Sequence, residues 1–352
     1  MKSIFSKIVL LTFMSGFALL TACSDGDTIK PGTPKADRIA PDSAAGGSVL
    51  TLTGSGLGQM RSIVFENGNV PTGLNPSFNT ENAIVFRVPD TANGGLQKIT
   101  FTNVDGKSVS IPFKVIALPS VSSVTSNDFT GGDEITLTGN NLADVSSVRL
   151  SGTTTAATVL SKSKKQLVIK MPVTSDGRTS LDIVNSSGLL KTTQEFVNVD
   201  KAFQIFTDGY GDGFADGSWG DAGVISSTIY KYGKKSIGKT YASGNWHVFG
   251  FANWNTGVTY SADYKFLTFW VKGASADYSL YISSDQGIDG FGSFNESNKI
   301  NVPANVWTYY KIPVSTLKLW ANGNKFNQLG FRIKGPDTQN ETFYIDNLLL
   351  VK

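Results

Sequence analysis

The sequence predicts an all-β chain of two immunoglobulin-like sandwiches in tandem, followed by a β-jelly-roll sandwich. Three observations carry this. Apolar and polar residues alternate with period two in short runs, the mark of half-buried strands, and no convincing helical period interrupts them after residue 203. The front of the chain repeats itself at spacings of 82 to 85 residues. The aromatic residues divide sharply, with all 6 Trp and all 11 Tyr lying beyond residue 200.

The chain opens with an address. Lys2 and Lys7 accompany an apolar stretch from Ile8 to Leu20. That stretch is too short to cross a hydrocarbon layer of ~30 Å as a helix. Leu20-Thr21-Ala22-Cys23 follows and resembles a bacterial lipobox, with the sole cysteine of the chain at the position that receives lipid. Residues 1–22 therefore read as a lipoprotein signal and Cys23 as the lipidation site. Two or more acyl chains give durable anchoring. Ser24-Asp25-Gly26-Asp27 is similar to the acidic segment that directs Bacteroidetes lipoproteins to the outer cell face. Residues 23–36 form the lipidated cysteine and a Pro-bearing tether.

Composition closes off several functions. Only 17% of residues are charged, and the formal net charge is +3. Removing the signal leaves 29 basic against 28 acidic residues, so the mature surface is close to neutral. A nucleic-acid binder needs a basic stripe, which is missing. One Cys and one His exclude a disulfide framework, a Cys-based zinc site and a multi-His metal centre.

The repeats come next. Leu50-Thr51-Leu52-Thr53-Gly54-Ser55-Gly56-Leu57 returns as Ile135-Thr136-Leu137-Thr138-Gly139-Asn140-Asn141-Leu142. Ile84-Val85-Phe86-Arg87-Val88-Pro89 returns as Leu167-Val168-Ile169-Lys170-Met171-Pro172. Asn103-Val104-Asp105-Gly106 returns as Asn185-Ser186-Ser187-Gly188 at the end of a third repeated strand. Short strands closed by Gly, Pro and Asn fit two sandwiches of ~80 residues each. The three ordered elements resemble IPT/TIG domains, over residues 37–116 and 117–199. With no Trp, Tyr or His, these modules lack flat stacking surfaces and read as spacers. The short junctions Ala117-Leu118-Pro119 and Val199-Asp200-Lys201 favour stiff joints and a nearly rigid rod.

Residues 200–352 hold eight strand candidates: 202–207, 235–240, 248–254, 266–272, 278–283, 307–313, 328–333 and 343–351. Gly-rich turns separate them, which fits a jelly roll. The order of Phe266–Gly273, Val306–Pro313, Leu329–Ile333 and Phe343–Asn347 resembles the jelly-roll carbohydrate-binding modules of polysaccharide-degrading systems. The chemistry agrees. One face of a sugar ring presents C–H groups that an aromatic plane covers, while Trp and Tyr edges and polar side chains meet the hydroxyls. Trp270, Trp307 and Tyr344 sit in strong strand patterns and are read as core. Trp219, Trp246, Trp254 and Trp320 lie by turns and are the stacking candidates, with His247 beside Trp246. Tyr281, Asp285, Gln286 and Arg332 are the polar candidates; period two puts Tyr281 and Arg332 on the face opposite the core. A structural calcium is common in modules of this kind, and Asp208 and Asp346 are the carboxylates that the resemblance offers for one.

No catalytic signature accompanies these residues. Glycoside hydrolysis normally uses a carboxylate pair, and the last domain has only Glu296 and Glu341 beside turn aspartates. There is no nucleophile elbow, zinc-protease motif or phosphate loop. The full set of lipobox, acidic segment, paired IPT/TIG repeats and aromatic jelly roll resembles surface glycan-binding proteins of Bacteroidetes polysaccharide-utilisation systems. That resemblance implies a lipid-anchored protein on the outer membrane, facing the exterior. It would hold a polysaccharide, a neutral one such as a β-glucan, without catalysis or an obligatory cofactor. A TonB-dependent transporter and its partner glycan-binding lipoprotein would be its neighbours. The alternative is an adhesin that uses the aromatic domain as a hot-spot patch for a protein partner.

Overall fold

A computed structural model describes residues 31–352, so the signal segment, Cys23 and most of the tether lie outside the described residues. Two compact units result, one ending at Ala117 and the other covering Leu118–Lys352. Among the described residues no helix is long and apolar enough to cross a membrane.

In the first unit, a three-stranded sheet (Lys35–Ala40, Val49–Ser55, Ala83–Arg87) faces a five-stranded one built around Gly95–Asn103 and Ser108–Ile116. Alternation turns Leu50, Leu52, Ile84, Phe86, Phe101 and Phe113 inward. Phe86 and Phe101 meet edge to face at 5.3 Å, the arrangement their ring quadrupoles favour. The repeated Thr-Gly motif has a steric origin. A Cβ at Gly54 would lie 2.0 Å from the carbonyl oxygen of Lys35, and one at Gly139 would lie 1.7 Å from that of Ser120. Each glycine lets the adjoining strand pass where the ladder shifts register.

The second unit begins with the second repeat. Its strands run in one path from Gly188–Lys191 to Ser120–Val124, and a small sheet pairs Phe196–Asn198 with Asp128–Phe129 and Arg178–Thr179. Leu137, Ile169, Ile183, Phe129 and Phe196 form its core.

The terminal domain follows without a spacer. All eight strand candidates are present, with Phe266–Lys272 and Trp307–Pro313 at the expected bounds. Successive long strands alternate between two sheets, as a jelly roll requires. One sheet orders Val224–Ser226, Ser236–Tyr241, Glu341–Val351, Phe266–Lys272 and Trp307–Pro313. The other orders Ala215–Asp216, Val248–Ala252, Gln328–Lys334, Tyr278–Ser284 and Lys299–Val302. Phe249, Phe251, Phe269, Phe331, Phe343 and Leu280 fill the space between them.

The outer face of the first of these sheets is covered by the second repeat, and we call it the docked sheet. Trp270 projects away from the jelly-roll core and donates Nε1–H to Asp128 Oδ2 at 2.9 Å. Its strand pattern suggests a core residue, yet it faces outward and is buried against the neighbouring module. Asn347 donates to the same oxygen at 2.9 Å. A bulge puts it there: the register shifts between Thr268 and Trp270, and Asn347 adopts a left-handed φ of 47°. Leu348 and Leu350 thereby return to the core phase. Val197, Val199, Leu349 and Val351 close the seam as a small apolar cluster. Glu195 pairs with both Lys311 and Arg178 at its rim. Burial alone would raise Glu195, but the cationic pair holds its carboxyl below the usual range.

Candidate functional site

With the docked sheet occupied, the terminal domain presents its other sheet, the outward sheet. Phe249 and Phe251 point to the core, which leaves Val248, Gly250 and Ala252 on the outer side. Two segments lie on this side, and glycines make room for them. The amide of Gly217 bonds to the carbonyl of Gly250 at 3.0 Å, and a Cβ at Gly250 would sit 2.2 Å from the oxygen of Gly217. Phe291 rests over Gly330, where a Cβ would come within 2.6 Å of its ring.

Trp219 follows Gly217 on this surface. Its backbone exchanges hydrogen bonds with Val248, and its ring meets Phe291 edge to face at 5.3 Å. It remains 41% exposed. Lys239 supports the turn from beneath. Fully buried in the docked sheet, it donates Nζ–H to the carbonyl oxygens of Trp219 and Asp221. Burial lowers its pKa, opposed by Asp216 and Asp221.

Trp246 and Trp254 flank the strand Val248–Ala252 at its two ends and are 53% and 63% exposed. His247 is buried, with its ring centroid 4.1 Å from that of Trp246. Its Nδ1 lies against Gly220 with no hydrogen-bond partner. Burial first, and then the Lys239 ammonium, lower its pKa. His247 thus packs between the Trp219 turn and Trp246 rather than facing solvent.

Tyr281 and Arg332 lie opposite the core, as period two requires, but they are roofed. Tyr281 is 2% exposed, donates its hydroxyl to Glu296 at 2.9 Å and meets Phe294 edge to face. The Arg332 guanidinium sits 4.0 Å from the Phe294 ring centroid and donates to the carbonyls of Asn245 and Gly292. Both residues fasten the 291–296 loop. Phe291 and Phe294 belong to this surface and are absent from the sequence candidates. Their signal was a pair of aromatics three residues apart in a Gly-rich segment.

The remaining candidates gather at the other end of the outward sheet. Asp285 accepts the amides of Asn327 and Gln328 at 2.8 and 3.0 Å, which makes it a loop cap. Gln286 lies against Gly323, and its carbonyl accepts the amide of Asn322. Trp320 is half-buried. Its Nε1–H bonds to the carbonyl of Val258 at 2.8 Å, and its ring packs on Phe326 at 4.9 Å.

Asp208 and Asp346 are engaged by donors. Asp208 Oδ1 accepts the amides of Lys234 and Lys235, and Asp346 Oδ2 accepts those of Lys231 and Tyr232. Four N–H groups cap one oxygen of each carboxylate, while Asp346 Oδ1 is buried without a hydrogen-bond partner. Among the described residues no cluster of three or more metal-ligating side chains occurs.

Comparison with known proteins fits this architecture. Residues 34–115 and 119–197 match the IPT/TIG domain family, so the chain carries two IPT/TIG domains ahead of its jelly roll. Over nearly its whole described length the chain is similar in fold to the surface glycan-binding protein PbSGBP-B from Prevotella bryantii. The identity is 19% and the TM-score 0.55, with 91% of this chain and 99% of that one covered. An SGBP-B from a complex xyloglucan utilization locus in Bacteroides uniformis aligns at 18% identity and a TM-score of 0.42, covering 91% of this chain and 100% of that one. The mixed-linkage glucan locus SGBP-B of Bacteroides ovatus, solved with a mixed-linkage heptasaccharide, aligns at 16% identity and a TM-score of 0.31, covering 91% of this chain and 75% of its own. No curated protein matches the chain by sequence.

Proposed function

We propose that this chain is a non-catalytic glycan-binding lipoprotein of the outer cell surface, and that its jelly roll captures a polysaccharide along the Trp219–Trp246–Trp254 edge. One observation carries the reading. Three of the six tryptophans are left exposed, and all three attach to one strand of the sheet that the second module does not cover. Exposed indole area is unfavourable in water at roughly 25 cal/mol per Å², and the apolar face of a pyranose relieves it. The strand between Trp246 and Trp254 is about 13 Å long at ~3.3 Å per residue. That span accommodates more than one ring of an extended chain. The cations nearby are committed, Lys239 to two carbonyls and Arg332 to two others. This supports a neutral main chain, with a β-glucan as one candidate.

The likeness in fold to a surface glycan-binding protein supports the same assignment. The lipobox at Cys23 and the acidic segment after it support anchoring at the outer membrane, where a TonB-dependent transporter and its partner lipoprotein would receive the captured chain. Affinity electrophoresis against a panel of neutral polysaccharides tests the reading. Retardation by at least one is expected, and migration unchanged by every glycan would overturn it.

A further inference from the structure

A second concave feature of the terminal domain lies apart from the exposed indole edge. The turn before Phe266–Lys272 and the segment after Trp307–Pro313 line an open cavity of about 730 Å³. Trp320 and Tyr264 lie nearly parallel in its wall, 7° apart at 6.2 Å. Tyr260 meets Trp320 edge to face at 5.7 Å and is itself 55% exposed. The indole N–H of Trp320 is already bonded to Val258, so the ring presents its hydrocarbon surface. Lys265, Lys318 and Asn324 supply the polar rim, and no carboxylate side chain is among the lining residues. Lys318 is held in the left-handed conformation, φ 48°, at the end of the single helical turn Val314–Leu317.

We propose that this cavity is a second carbohydrate site, which takes one acidic pyranose: a uronic acid carried as a branch or chain end. An aromatic wall suits the apolar face of a sugar ring. Asn324 can meet hydroxyls, and Lys318 offers an ammonium group to a carboxylate, with Lys265, whose Nζ already donates to the Ala262 carbonyl at 2.6 Å, adding positive charge that Asp263 beside Tyr264 offsets in part. The proposal rests on the reading of the terminal domain as glycan-binding and adds to it a different ligand class at a different place. Together the two sites would select a neutral main chain with acidic substituents.

The test uses the mature full-length chain, with methyl glucuronoside and methyl galacturonoside as probes and methyl glucoside as the neutral control. Saturation-transfer NMR reads contact with each sugar. The acidic probes are expected to bind and the neutral one not, with the signal falling at least fivefold when salt is raised from 20 to 300 mM, values set for the experiment on the scale of Debye screening, roughly 3–30 Å across 1 to 0.01 M. Tyr260→Ala and Lys318→Asn should each remove it, Asn being chosen because it tolerates a left-handed backbone. Trp246→Ala and Trp254→Ala should leave it intact while abolishing retardation by a neutral polysaccharide. Equal binding of methyl glucoside, or a signal that survives both cavity variants, would overturn the proposal. Retained polysaccharide retardation with no uronoside signal would remove the cavity site alone. Uronoside binding without any polysaccharide retardation would instead remove the indole-edge reading.

Discussion

Trp270 of the jelly roll and Asp128 of the second IPT/TIG domain share a hydrogen bond of 2.9 Å in a buried seam. Among the described residues, the other Asp128 oxygen has no partner, and no Lys or Arg forms an ion pair with either oxygen. A buried carboxylate without a cation is unfavourable when ionised, and burial raises Asp128 to about 7 against the pull of Asn347 and Trp270. Asp346 beside it is raised to about 6, again by burial.

The joint should therefore strengthen in acid. A carboxyl whose folded pKa is raised contributes stability that is fully present below its unfolded pKa and lost as pH rises through the folded value. For Asp128 the window runs from about 4 to about 7. Each pK unit corresponds to ~1.4 kcal/mol, which makes ~4 kcal/mol an upper bound for this group. His247, whose pKa is lowered, works in the opposite sense across this range, so the Asp128 contribution is read as the stability of wild type relative to Asp128→Asn in urea melts, which should be greater at pH 5 than at pH 8. A relative stability equal at both pH values would place the effect elsewhere.

Replacing Trp270 by Phe keeps a ring in the seam and removes its donor. The loss should be about 1–3 kcal/mol at pH 8, the range for stranding a buried partner, and smaller at pH 5. Calorimetry of the intact chain measures it, and equal losses at both pH values would argue against a role for the Asp128 charge.

Exposed and half-buried tryptophans should part ways. Trp246→Ala and Trp254→Ala remove mostly solvated rings, so stability should change by less than about 0.5 kcal/mol while polysaccharide retardation disappears. Trp320→Ala empties a packed position and strands the Val258 carbonyl, at a cost of about 3 kcal/mol. Electrophoresis run beside thermal melts separates the outcomes.

Lys239→Met should loosen the turn that carries Trp219. Two carbonyls lose their donor, so hydrogen exchange at the hydrogen-bonded amides of Trp219 and Gly223 should accelerate by tenfold or more, about 1.4 kcal/mol of local stability. Exchange rates unchanged from wild type would show that the ammonium does not hold the turn.

Chelation should leave the melting temperature unchanged, because one oxygen of each carboxylate, Asp208 Oδ1 and Asp346 Oδ2, already accepts two backbone amides. Asp208→Ala, in contrast, should lower it by several degrees. A chelator-induced drop would place a cation at the Asp208–Asp346 loops, with the unpartnered Asp346 Oδ1 as its ligand.

Much of the fold was legible because alternation and turn residues are local. The strand Phe266–Lys272 could be bounded from its own residues, and Gly54 and Gly139 marked their repeats. What alternation cannot say is what lies beyond a strand's second face. Trp270 occupies an outward position, and only the arrival of Asp128, 142 residues earlier in the chain, buries it. Tyr281 and Arg332 were placed on the correct face for the same local reason. Their covering by Phe294 depends on a loop path that no periodicity encodes. His247 shows the same limit, since its neighbours Gly220 and Lys239 come from two separate segments.

The seam around Asp128 also changes which part of this chain can be exchanged. A jelly roll cut free at residue 200 would present Trp270, Leu349 and Val351 to water, an apolar surface suited to aggregation. Recombination that grafts new specificity onto an old stalk would succeed more readily if it moved Leu118–Lys352 as one cassette, carrying the second module with the head it caps.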